Sequence, residues 1–188
     1  PQASINRQRI PFQSNDTKRY IRTHIGQVEY DFVEVENTNA SYPVKPEWLN
    51  LSTQRDANKL IAYIRGQDQE GLRQRHIEQQ AFLLGDTVKS TPVVVGKPSS
   101  NYHLLYNDQS YQKFAKQYQN RRSRVFLGAN DGMLHSFNAG WFDSETKQLK
   151  NSPTNGNQWP LGQEIWAFVP FTALAYLNEL SDKYYGVS

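Results

Sequence analysis

The pattern of apolar and polar positions is most informative in Arg124-Val-Phe-Leu-Gly-Ala-Asn-Asp-Gly-Met-Leu-His-Ser-Phe-Asn-Ala139. Val125, Phe126 and Leu127 form a short run of strand-favouring residues, and Met133, His135 and Phe137 alternate with Leu134 and Ser136. The pattern predicts two short strands joined by a tight turn at Asn130, Asp131 and Gly132. Gly132 fits the left-handed position of that turn, which a Cβ disfavours. Apolar residues fall on both faces of each strand, which suits a sheet packed between two others.

The flanks extend this unit. Thr91-Pro-Val-Val-Val-Gly96 predicts a strand before the hairpin, and Glu164-Ile-Trp-Ala-Phe-Val169 predicts one after it. Four strands, near 92–95, 124–129, 133–138 and 164–169, make the antiparallel unit of one β-propeller blade. The expected fold class is mainly β with helical insertions: about one four-stranded blade, over 84–170. A ring needs four to eight blades, so it cannot close within 188 residues, and the chain reads as a piece of a larger protein. Insertions interrupt the blade at 97–123, where Tyr111, Phe114 and Tyr118 follow Ser110 at helical spacing, and at 140–162, a loop rich in Asn, Gly, Pro and Ser.

Upstream, residues 1–50 read as a polar lead-in with one half-exposed strand, in which Val28, Tyr30 and Phe32 alternate with Glu29 and Asp31. Residues 51–83 read as a helix and connector: Ser52 precedes Ala57, Leu60, Ile61 and Ile64 on one face, Gly66 suits the C-terminal cap, and 67–80 is a helix extension or a loose linker. Residues 171–188 predict a hydrophobic helix carrying Leu174, Leu177 and Leu180 towards a next blade.

Three motifs taken together, Leu84-Gly-Asp-Thr-Val-Lys-Ser-Thr-Pro-Val-Val-Val-Gly96, Val125-Phe-Leu-Gly-Ala-Asn-Asp-Gly-Met-Leu-His-Ser-Phe-Asn-Ala139 and Glu164-Ile-Trp-Ala-Phe-Val-Pro170, resemble the PilC/PilY1 family of type IV pilus biogenesis factors and tip adhesins. Ile61-Ala-Tyr-Ile-Arg-Gly66 resembles the helix ending that precedes them, so the likeness covers roughly 55–185. It implies a non-enzymatic, exported protein at the cell surface or pilus tip that supports pilus extension, twitching and attachment. Its implied partners are minor pilins, the remainder of the propeller and a host-cell or abiotic surface. Any calcium loop of the family is expected outside these residues, and no cofactor is expected within them. Quinoprotein dehydrogenases and outer-membrane assembly scaffolds use similar strand–Asp-Gly–strand wording and stand as the alternatives.

Composition changes this picture little. Cysteine is absent, so neither disulfides nor thiolate metal sites are available. The formal charge of +3 is scattered, without the basic stripe that nucleic-acid binding needs, and no apolar run is long enough to span a membrane. The residues expected to matter are structural: Asn130, Asp131 and Gly132 in the turn, with Gly85 and Asp86 before a strand, where the Asp86 carboxylate accepts backbone N–H bonds. His135 reads as a buried, hydrogen-bonded histidine. Aromatics are abundant, with eleven Tyr, nine Phe and four Trp, and Trp141, Phe142 and Trp159 mark the second insertion as the candidate partner-binding loop.

Overall fold

The computed structural model describes residues 19–35, 44–77, 80–81, 83–143, 145–151 and 160–182. Trp159, much of the lead-in and part of the second insertion lie outside them.

The four expected strands are present: β5 (Val93–Val95), β6 (Arg124–Gly128), β7 (Leu134–Asn138) and β10 (Glu164–Val169), each antiparallel to its neighbour. Two more strands enlarge the sheet. The lead-in holds β1 (Ile21–Ile25), which turns at Gly26 into β2 (Val28–Asp31), so the single strand expected over 27–35 is half of a hairpin. β1 pairs parallel with β10, Ile21 opposite Ala167, and gives a six-stranded open sheet in the order β2-β1-β10-β7-β6-β5. The polar character of β1 concealed it: Arg22 and His24 occupy one face, while Ile21 and Thr23 are buried on the other.

Helix α1 (Gln54–Arg65) begins one residue later than expected. Thr53, rather than Ser52, caps it by accepting the Asp56 amide proton at 3.1 Å. Ala57, Leu60, Ile61 and Ile64 are all buried, and Gly66 ends the helix with φ 119°. The residues beyond it form a connector that holds the short ladder β3 (His76–Ile77) and β4 (Gln80–Ala81). In the first insertion a short helix α2 (Tyr102–Leu105) precedes α3 (Gln109–Gln117). Asp108 caps α3 by accepting from the Tyr111 amide at 3.0 Å, and Ser110 donates to that same carboxylate at 2.6 Å. The second insertion includes a two-stranded ribbon, β8 (Trp141–Phe142) against β9 (Leu149–Lys150).

The segment expected as a helix after the blade, Phe171–Ser181, winds as a 3-10 helix. Three residues per turn stack every third side chain in line. The spacing of Leu174, Leu177 and Leu180 matches that winding, and all three are buried.

This winding corrects the expectation of a sheet covered by two others. One face, carrying Ile21, Thr23, His135, Phe137, Ala167 and Val169, is roofed by α1 and the 3-10 segment of this same chain, with Phe32, Val44 and Leu49 filling the core. The opposite face, with Phe126, Leu134, Trp166 and Phe168, is only partly buried, and its Phe126 and Trp166 rings lie 5.7 Å apart. At the β5 edge Val94 is 66% exposed. The sheet is open on one face and at that edge.

Candidate functional site

Two places gather the chemically distinctive residues. The first is the β6–β7 turn. Gly132 takes φ 79°, in the left-handed region, and its amide donates back to the Ala129 carbonyl at 3.1 Å. The segment before β5 docks directly on this turn: the Gly85 amide donates to Asp131 Oδ2 at 3.0 Å, and the Asn130 amide donates to the Asp86 carbonyl at 2.9 Å. All five turn residues therefore meet, but the carboxylate that accepts an amide of the 85–86 segment belongs to Asp131. Asp86 is exposed and contributes its backbone carbonyl.

Beneath the turn lies a buried ionic chain that the sequence reading did not assemble. His135, with no exposed surface, sits between two carboxylates: Nδ1 is 2.7 Å from Glu164 Oε1, and Nε2 is 3.0 Å from Asp131 Oδ1. Glu164 is held in turn by Arg19 through a fork of 2.6 and 2.9 Å. Arg19 also donates to the carbonyls of Ile64 and Arg65 at the end of α1, at 3.2 and 2.8 Å. Burial pulls the His135 pKa down, but the hydrogen bonds and charges of Asp131 and Glu164 outweigh it and raise it above its ordinary value. A protonated His135 with Arg19 balances Asp131 and Glu164, two charges against two. Both ring nitrogens are engaged by carboxylates, and among the described residues no group of His, Asp and Glu is placed to hold a metal ion.

A β-bulge explains how Glu164 joins in. The β10–β7 register shifts between Glu164 and Trp166, so Glu164 pairs with Phe137 and Ala167 with His135. Without that extra residue Glu164 faces the open side with Trp166. Neither the bulge nor the pairing of Arg19 with a residue 145 positions away leaves a local signal.

The second place is the β8–β9 ribbon. Phe142 is 48% exposed with the Lys97 ammonium 5.2 Å from its ring centre, and the Arg122 guanidinium lies 5.3 Å from that of Trp141. Asp143 closes the ribbon: it pairs with Lys150 and accepts the amides of Glu145 and Thr146, and these contacts hold its carboxyl well below the usual range. A cavity of about 340 Å³ opens beside Trp141 and Phe142, with Lys97, Asn120, Arg121 and Glu145 on its walls. The structure thus brings Trp141 and Phe142 together at a polar, charged concavity.

The family model for the PilY1 beta-propeller domain matches residues 84–158, the stretch that contains the docked turn and the start of the ribbon insertion. The "Type IV pilus biogenesis factor PilY1 homolog" of Xylella fastidiosa is 35% identical over 130 residues, 67% of this chain and 9% of that protein. The chain belongs to the PilY1 family. "Type IV pilus biogenesis factor PilY1" of Pseudomonas aeruginosa strain UCBPP-PA14 is 32% identical over 145 residues, 71% of this chain and 10% of that protein. This PilY1-family chain therefore spans about a tenth of the length of the curated relatives it matches. No solved structure gives a significant match. The open sheet is a partial propeller blade, and among the described residues no helix is long and apolar enough to cross a membrane.

Proposed function

We propose that this chain is a non-enzymatic scaffold segment of a type IV pilus biogenesis factor, exported to the cell surface or pilus tip. In this reading the blade joins the remainder of a propeller, minor pilins are its assembly partners, and the β8–β9 ribbon meets a host-cell or abiotic surface. The observation that carries the proposal is the match to relatives named as pilus biogenesis factors over two thirds or more of the chain.

The chemistry of the two places supports the division of labour. His135 is sealed beneath the turn between two carboxylates, with no exposed surface from which to reach a substrate. Phe142 presents an exposed ring with the Lys97 ammonium over it, and exposed aromatic rings of this kind are enriched at protein interfaces.

The test is a double substitution, Lys97→Gln with Phe142→Ser, in the parent protein in its own bacterium. Surface pili and twitching are expected to persist while attachment falls. Unchanged attachment overturns the ribbon as the contact. Normal piliation, twitching and attachment after deletion of the whole gene overturn the pilus role itself.

A further inference from the structure

The two insertions that interrupt the blade leave the sheet at the same end. The first departs after β5 and returns before β6, and the second departs after β7. Hydrogen bonds clamp their bases together. The Ser123 amide donates to the Gly140 carbonyl at 2.7 Å, the Ala139 amide to the Ser123 carbonyl at 3.0 Å, and Arg121 Nε to the Gly96 carbonyl at 2.9 Å. The cavity of about 340 Å³ sits on this junction: Lys97, Gln119 and Asn120 line it from the first insertion, and Trp141, Phe142 and Glu145 from the second.

These walls mix two chemistries. Phe142, 48% exposed, offers ring surface, with Trp141 beside it in the chain. Around the rings stand an ammonium, two primary amides and a carboxylate. Among the described residues the side chains of Gln119, Asn120 and Glu145 make no hydrogen bond or ion pair, and Lys97 has the Phe142 ring as its partner. We propose that this junction cavity binds a neutral pyranose sugar, with the C–H face of the sugar on Phe142 and its hydroxyls bonded to Gln119, Asn120 and Glu145. The proposal rests on the ribbon as the surface contact and names the chemistry that the contact recognises.

A pyranose carries apolar C–H bonds on its ring face and hydroxyls around its rim, each of them both donor and acceptor. Amides and a carboxylate beside an exposed ring answer both parts. A protein side-chain anchor calls for a dry, well-packed pocket, whereas this one is open and most of its lining side chains are polar. Charge favours a neutral ligand. Asp143 is paired with Lys150, an incoming anion faces Glu145, and an incoming cation faces Lys97 and Arg121. The volume lies at the small end of ligand pockets, which suits a mono- or disaccharide.

Saturation-transfer NMR on the purified parent protein reads the contact from the sugar's side. The probes are the methyl pyranosides of glucose, galactose, mannose and N-acetylglucosamine. Acyclic sorbitol is the control, since it keeps the hydroxyls and lacks the ring face. At least one pyranoside is expected to give saturable transfer, strongest at the C–H protons of one ring face, while sorbitol gives none. Phe142→Ser is expected to weaken that binding about tenfold and Asn120→Ala several-fold. Tyr106→Ser, which removes an exposed ring that does not line the cavity, leaves it unchanged. No saturable transfer to any of the four, equal transfer to sorbitol, or full binding in both Phe142→Ser and Asn120→Ala overturns the proposal. Glucuronate binding tighter than the glucoside overturns the neutral assignment. Attachment that falls in the Lys97→Gln, Phe142→Ser protein, with no saccharide bound by the wild type, overturns the sugar and leaves the ribbon as the contact.

Discussion

Gly85 is pressed against Asp131 so closely that a Cβ built on it meets the Asp131 backbone nitrogen at 2.4 Å, while its own amide donates to the Asp131 carboxylate at 3.0 Å. The neighbour is backbone, so it cannot swing aside as a flexible side chain does. Gly85→Ala is expected to lower stability by about 2–4 kcal/mol by lifting the segment before β5 off the turn. Urea unfolding measures this, and an unchanged midpoint shows that the segment does not dock as described.

The blade strands were legible because each carries its signal locally: Val93 to Val95, Val125 to Leu127 and Ile165 to Val169 are short runs rich in β-branched and aromatic residues, bounded by Pro92, Gly96, Gly128 and Pro170. Gly132 was legible because an Asn-Asp-Gly turn needs one residue with positive φ. β1 escaped notice since its partner, β10, lies at the other end of the chain and its outward residues are polar. The site divides in the same way. Trp141 and Phe142 stand out by residue type, whereas the Arg19–Glu164–His135–Asp131 chain depends on a bulge and on long-range pairing.

The second prediction concerns pH. His135 titrates at about 6.5 when unfolded and higher when folded. Between these two values the folded state holds more protons than the unfolded one, so stability falls as pH rises. The stabilisation is complete below about pH 6.5 and disappears as pH climbs through the raised folded pKa. The slope is at most about 1.4 kcal/mol per pH unit. His135→Gln is expected to lower stability throughout and to remove this slope. Denaturation midpoints of both proteins from pH 6 to 9 check it, and parallel curves refute the assignment.

The third prediction concerns the open face. Phe126, Leu134, Trp166 and Phe168 present a contiguous apolar surface on a sheet whose other side is already roofed. Such surface drives association. The 188-residue chain alone is expected to self-associate, and Phe126→Lys with Trp166→Lys to shift it towards monomer. Light scattering decides the matter. A well-behaved wild-type monomer with a sharp melt rules out this face as a blade-to-blade surface.

The parallel seam between β1 and β10 also sets an order of events. A ribosome releases Ile21 long before Ala167, its partner in the sheet, and 146 positions separate Thr23 from the Val169 carbonyl it binds. During synthesis the first hairpin and α1 must wait, with their apolar sides uncovered, until the last strand emerges to complete the seam. Distant pairing of this kind folds slowly and leaves an interval in which wrong contacts compete. Truncation anywhere before β10 removes the central strand that joins the two halves of the sheet, so a shortened chain loses the whole assembly and not merely its end.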